Sequence, residues 1–325
     1  MRSGKMRYAA IWLCGVLLLA LLGCGENSGN AGAENTTLKF ATGGTSGTYY
    51  SYGTVLADVL GKHIDGLSAE VLSTGGSKEN ILLLSKGEAD LALVQNDVMS
   101  YAMNGTDLFE EEGVTMGYYA AAALYSEVIQ IVSVPGISSI EELKGKRVSV
   151  GDVGSGVEVN ARQILEAYGM SFDDIEVRNL GFGDSAEAIR NGELDAAFVT
   201  AGPPVAALTE LCEDTEVQLL PIDDAHRDIL RKKYDFYANY LIPAGLYQGI
   251  DENIPTVTVK ATLIFSDQIS DELAYDIVKG IFDNKTEIIK ENNKGIELDP
   301  EYAVDGISIP MHLGAQKYFK EVGVL

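Results

Sequence analysis

Cysteine is scarce in this 325-residue chain, and so are tryptophan and histidine: there are three cysteines, one tryptophan and three histidines. The lone Trp12 and two of the cysteines, Cys14 and Cys24, fall in the amino-terminal segment, so Cys212 stands alone in the body and no internal disulfide can form there. His63, His226 and His312 share no spacing with one another or with Cys212, and no H-E-x-x-H or paired-thiolate pattern points to a metal. Positive charge is also short, with 24 Lys and Arg against 48 Asp and Glu, a formal net charge of −24. Such a surface repels nucleic acid and anionic lipid, which excludes a nucleic-acid partner.

Long apolar runs are missing too, except at the start. Arg2, Lys5 and Arg7 precede an apolar run from Tyr8 to Leu22, followed by Gly23 and Cys24. A basic region, a short apolar region and a small residue describe an export signal over residues 1–23. Leu21-Leu22-Gly23-Cys24 fits a lipobox, which makes Cys24 the expected lipidation site and the link to a membrane surface. Residues 24–37 then read as the lipidated cysteine and a solvated tether without large apolar groups. Subtracting the three basic residues of the signal leaves 21 − 48 = −27 for the exported part. At about 300 residues, that part can bury roughly three quarters of its unfolded surface, so its stability comes from a core.

The body reads as α/β. A strand at 38–42 runs into the turn GGTSG (43–47) and a helix to Lys62. A strand at 67–72 runs into STGGS (73–77) and a helix near 79–86, and a further strand at 90–95 stops at Asn96-Asp97. This alternation predicts mostly parallel sheets with right-handed crossovers. SKENILLLSKGEADLALVQ (77–95) is echoed by GDSAEAIRNGELDAAFVT (183–200), with Gly87-Glu88-Ala89-Asp90 matched by Gly192-Glu193-Leu194-Asp195. Two similar halves follow, each presenting Gly/Ser turns at strand ends. Residues 118–134 read as two strand-like runs meeting near Ser126, and with 255–265 they supply two crossings that make a hinge. The expected division is 38–134 plus 244–325 for lobe I and 135–243 for lobe II. A single helix is expected from about 271 to 290.

The Gly-rich turns fail the established signatures. Gly151, Gly154 and Gly156 do not space as G-x-G-x-x-G, although Asp173 and Asp174 stand near the distance a dinucleotide fold would want. Val157 replaces the P-loop lysine, and neither Ser46 nor Ser155 has glycine two positions on, as a nucleophile elbow requires. No enzyme chemistry or cofactor is expected. What remains is anion capture: unpaired amides at helix starts carry roughly +0.5 charge, and glycine allows close approach. A few charge-assisted bonds of about 1.5–3 kcal/mol reach micromolar affinity, near −8 kcal/mol. Thr45, Ser46 and Ser155 can add hydroxyl donors, and the alternative for any one turn is plain capping of the following helix. Asp97 is most simply a helix cap, Gln95 or Asn96 can read an amide, amine or carboxylate, and Tyr50, Tyr125 and Tyr240 are candidate walls. Arg162, one to two turns into the second-lobe helix, can neutralise an acid but better suits a solvated or interdomain salt bridge.

ATGGTSGTYY, STGGSKENI, ALVQND, LYSEVIQIV and ELKGKRVSVGDVGSGVEVNARQILEAYG, with IPAGLYQGID, PTVTVKATLI and IPMHLGAQKYFKEVGVL, together resemble the TAXI solute-binding proteins of TRAP transporters. The resemblance covers the body after the tether. It implies a two-lobed periplasmic-binding-protein fold, type II-like, whose mostly parallel sheets are joined by a two-crossing hinge. It implies an exported, lipid-anchored, monomeric receptor that delivers glutamate or a 2-oxo or dicarboxylic acid to TRAP membrane subunits. It carries the ligand role to Gly44, Thr45, Ser46 and Tyr50, to Ser73 and Gly75, to Gln95, Asn96 and Tyr125, and to Gly154 and Ser155. A receptor for an ATP-driven importer or a sensor is the alternative, and a Rossmann-type enzyme a distant one.

Overall fold

The computed structural model describes residues 36–325. The export signal, Cys24 and most of the tether lie outside the described residues. The tether's last two positions, Thr36 and Thr37, already pair as strand with Leu67 and Ser68.

The chain begins with β1 (Thr36–Ala41), α1 (Thr48–His63), β2 (Leu67–Leu72), α2 (Ser77–Ser85), β3 (Leu91–Gln95), α3 (Asn96–Asn104) and the long β4 (Tyr118–Ser133). The second half adds β5 (Arg147–Ser149), α4 (Gly156–Ala167), β6 (Glu176–Arg178), α5 (Phe182–Arg190) and β7 (Ala196–Ala201). It continues through α6 (Ala206–Asp214), β8 (Gln218–Leu219), α7 (Asp224–Lys233) and β9 (Ala238–Ile242). The chain then returns along β10 (Ile254–Ser266) and ends in α8 (Asp271–Asp283), α9 (Lys285–Glu291), α10 (Pro300–Val304) and α11 (Leu313–Glu321). The helix expected over 271–290 is thus two, broken at Asn284, whose side-chain amide donates to the Gly280 carbonyl.

One ten-stranded sheet runs β2-β1-β3-β10-β4-β7-β5-β6, with β8 beside β4 and β9 beside β10. The pairs β1/β2, β1/β3, β5/β6 and β5/β7 are parallel. β10 and β4 are antiparallel to each other and to their outer neighbours β3 and β7. The two runs expected to meet near Ser126 form a single strand, buried on both faces except at Tyr119 and, in part, Ser126. Irregularities in the β4/β10 register at Ala261/Thr262 and Leu263/Ile264 bend the pair.

The core follows the same division. Ala121, Leu124 and Tyr125 of β4 pack with Tyr52, Leu56 and Leu60 of α1 and Ile277 and Ile281 of α8. From Val128 onward β4 packs instead with second-half side chains, and on β10 the change falls between Val259 and Ala261. Residues 128–134, and Leu246, Tyr247, Ile250 and Ile254 beyond 244, therefore pack with the second half. In α4, Val157, Ala161, Ile164 and Leu165 repeat at helical spacing and cover Val148 and Phe198 of the sheet. Burying such a side chain contributes about 1.5–3 kcal/mol, so each half has a core of its own.

Candidate functional site

A cavity of about 510 Å3 lies where the two halves meet, walled by the turns that leave the carboxyl ends of the strands. From the first half come residues 43–49, between β1 and α1, and 73–77, between β2 and α2. From the second come Asp152 and residues 155–157 after β5, residues 181–184 after β6, and Thr200 and Ala201 at the end of β7. Glu127 of β4 is also in the wall.

Gly44, Thr45, Ser46, Ser73, Gly75, Gln95 and Ser155 line this cavity, and Tyr50, Asn96, Tyr125 and Gly154 do not. The tyrosine of α1 that reaches the wall is Tyr49, one position earlier. Tyr125 is fully buried in the first-half core, its ring edge-on to Tyr52 at 5.1 Å between centroids. Asn96 Oδ1 accepts from the backbone N–H of Lys260 at 3.0 Å, so it braces β10. Gly154 borders a separate groove with Lys78, Glu79 and Leu82, and Tyr240 packs against the second-half core. The histidines are structural: His63 meets Glu287, His226 stacks on Tyr168, and buried His312 caps α11.

Two of the expected anion-binding amides are already engaged. The N–H of Gly75 donates to Glu79 Oε2 at 2.6 Å and that of Gly154 to Glu158 Oε2 at 2.7 Å, while Ser155 Oγ accepts from Glu158 N–H as a helix cap. Acidic residues in the first turns of α2 and α4 thus answer their own helix starts. The turn at 43–47 differs. Gly47 N–H closes onto the Gly44 carbonyl at 2.9 Å, and the amides of Gly44, Thr45 and Ser46 have no protein acceptor among the described residues.

The halves are also bonded to each other. Gly183 N–H donates to Ser46 Oγ at 3.0 Å, and Thr48 Oγ1 donates to the Gly202 carbonyl at 2.8 Å. Arg162 of α4 holds both carboxylate oxygens of Asp107, just after α3, at 2.6 Å, the interdomain option for it, and Gln163 donates to Tyr101 of α3. Asn160 is saturated: Oδ1 accepts from Gln95 at 2.9 Å and Thr200 at 3.0 Å, and Nδ2 donates to Asp97 at 3.1 Å and Tyr237 at 2.9 Å. Asp97 is therefore a buried acceptor between halves rather than a helix cap. Burial pushes its carboxyl up to about 6 against the pull of these bonds.

No lysine, arginine or histidine stands in the cavity wall among the described residues; its charged side chains are Glu127, Asp152 and Asp184. Glu127 is 2% exposed and accepts from the Tyr49 hydroxyl at 2.7 Å. Burial pushes its carboxyl up to about 8, outweighing the Tyr49 bond, with the charge of Asp97 adding to the rise and Lys294 opposing it. Asp152 is raised too, by burial and then by Asp184 and Glu79. Sequence reasoning missed these acids, though Glu127 is the only charged residue in the run from Tyr118 to Ser133. A charge there contradicts an otherwise apolar strand, and that was the available signal.

The model of the NMT1-like family matches residues 40–323, nearly the whole described body. The chain belongs to the NMT1-like family. Solved structures agree in fold. The PhnD1 protein of Prochlorococcus marinus with methylphosphonate matches at 10% identity, with 89% of this chain and 99% of that one covered and a TM-score of 0.54. The alkanesulfonate-binding protein SsuA of Xanthomonas axonopodis pv. citri matches at 13% identity, over 89% and 84%, with a TM-score of 0.52. A structure concerned with glutathione import via GshT and the cystine ABC importer TcyBC of Streptococcus mutans matches at 12% identity, over 81% and 95%, with a TM-score of 0.53. This NMT1-like chain therefore has the two-lobed periplasmic-binding-protein fold, with β4 and β10 as the strands shared by both lobes.

Proposed function

We propose that the protein is an exported solute receptor, not an enzyme, that holds a small organic acid between its lobes and hands it to a membrane importer. The observation that carries this is the cavity itself, walled by turns of both lobes and bridged by Ser46–Gly183 and Thr48–Gly202. A ligand touching both jaws binds the closed arrangement better than an open one, which is the only way it can shift the balance. We place the lobe boundaries within β4 at residues 126–127 and within β10 at residue 260, where the core changes partners. The acid group belongs at Gly44, Thr45 and Ser46, whose amides are available at the start of α1.

The importer we favour is ATP-driven, in keeping with structural neighbours that serve ABC systems. The motif set from ATGGTSGTYY to the carboxyl terminus keeps a TRAP system, driven by an ion gradient, as the second reading. Export and a lipid link at Cys24 complete the proposal.

The test is to purify the protein natively, denature it and identify the released small molecule by mass spectrometry, then add that compound back and follow small-angle scattering. An organic or amino acid that contracts the particle is expected; a sugar or a metal ion contradicts the reading. Uptake that stops on ATP depletion but survives collapse of the ion gradient selects the ATP-driven importer, and the reverse selects TRAP.

A further inference from the structure

We propose that Glu127 is a specificity-determining residue that receives a protonated amine, so that the solute is an acid that also carries an ammonium group. This deepens the receptor reading above and rests on it. Glu127 lies where β4 passes from one lobe to the other, buried in the cavity wall. Its Oε2 is held by Tyr49, and its Oε1 has no protein donor among the described residues. Lys294, the cation that acts on it, is committed to Glu297 at 2.6 Å. A buried carboxylate without a counter-charge is costly, so Glu127 stays neutral until an ammonium group pairs with Oε1 and lets it ionise.

Gln95 points to the same ligand chemistry. Its Nε2 donates to Asp97 Oδ1 at 3.2 Å and to Asn160 Oδ1 at 2.9 Å. Ionised Asp97 is acceptor-only, so it fixes both amides in these orientations. Only Oε1 of Gln95 remains, and it faces Gly156, where an added Cβ would stand 2.3 Å away. Glu127 and Gln95 thus each bring an acceptor oxygen without a protein donor to the cavity wall, and Asp152 and Asp184 add negative potential. An ammonium donates to both, whereas the carbonyl of a 2-oxo acid finds a donor only in the protonated form of Glu127 and none at Gln95 Oε1.

Binding then moves a proton. Tyr49, Asp97, Lys294, Tyr125 and Tyr302 are the titratable groups that act on Glu127 or are acted on by it. With its carboxyl raised to about 8 by burial, Glu127 holds its proton in the free receptor at neutral pH. Pairing with R–NH3+ ionises Glu127, and its proton leaves to solvent.

The test is calorimetry at pH 7 on the full-length chain, in buffers of different ionisation heat. The probes are the proteinogenic amino acids and the 2-oxo acid of each. The expected result is an amino acid that binds about 100-fold tighter than its 2-oxo partner and releases a proton, with Glu127→Gln reducing that preference to about fivefold or less. A 2-oxo acid binding as tightly as its amino partner, or binding with proton uptake, overturns the role of Glu127 and leaves the receptor reading standing. Binding by no member of either series overturns this proposal, and the small-acid reading then stands or falls on the compound released by denaturation. The preference of the unaltered protein for the amino acid over its 2-oxo partner decides the matter even if the Gln variant does not fold.

Discussion

Asp90 and Asp195 do the same work in opposite lobes. Each follows a helix, a left-handed glycine with φ of 70° (Gly87, Gly192) and two residues more. Each carboxylate accepts from the first-lobe Lys39 or second-lobe Arg147 backbone N–H at 2.8 Å, and each N–H returns a bond to that residue's carbonyl at 2.9 Å. The scaffolds of the two copies match bond for bond, so the short sequence echo at 77–95 and 183–200 marks a true structural repeat. The tips of the copies do not match. The first lobe presents uncharged turns, GGTSG and STGGS, and the second presents Asp152, Phe182 and Asp184. A repeated frame thus carries two chemistries, with available amides and hydroxyls on one jaw and carboxylates on the other.

The largest expected effect comes from joining the jaws badly. Gly156 sits so close under the Gln95 amide that the Cβ of Gly156→Ala would displace it from its bonds to Asp97 and, across the lobes, to Asn160. We expect affinity for the solute to fall by about 30-fold or more, roughly 2 kcal/mol, with the melting temperature of the ligand-free protein nearly unchanged. Calorimetry and thermal melting check this, and an unaltered affinity would mean that this contact is not part of closure.

The repeat itself predicts an asymmetry. Arg147 also grips Asp195 through its guanidinium, at 2.6 and 3.0 Å, a bond pair that no lysine copy at Asp90 reproduces. Asp195→Ala is expected to destabilise by about 2–3 kcal/mol and Asp90→Ala by about 1–2 kcal/mol, read by urea unfolding. Arg147 holds the Asp195 carboxyl below its usual range. Its contribution is therefore complete above the unfolded carboxylate pKa, near 4, and is lost as pH falls further.

Glu127 and Asp97 have the opposite sign. Their raised values mean that the folded state holds protons the unfolded state has released, so stability is greatest in acid and falls as pH rises through about 6 and then 8. Without ligand, the protein should melt several degrees higher at pH 5.5 than at pH 8.5, and Glu127→Gln should remove part of that difference. A flat profile would place Glu127 in a wetter setting. The smallest effect belongs to the partly exposed Arg162–Asp107 pair: Arg162→Ala should weaken solute binding about threefold, less at high salt.

The sequence showed the strands, the turns and the repeat because each leaves a local pattern. Helix phase was harder: Tyr49 and Tyr50 are chemically alike, and only the packing of α1 against β4 turns the first toward Glu127. Tyr125 and Asn96 stand in motifs next to cavity residues, yet one side chain enters the core and the other binds Lys260, choices made by strands far away in sequence. Glu79 and Glu158 sit four residues after Gly75 and Gly154, a spacing visible beforehand that would have shown those amides to be engaged. Asp152 and Asp184 could have been found by carrying the repeat through to the turns that match GGTSG and STGGS.

The division of chemistry between the jaws is tested most directly by a crystal structure of the protein saturated with the compound it releases on denaturation. The account predicts the acid group against the amides of Gly44, Thr45 and Ser46 and a nitrogen within hydrogen-bonding distance of Glu127 Oε1. A carboxylate lying against Glu127, or a solute seated away from both turns, would contradict it.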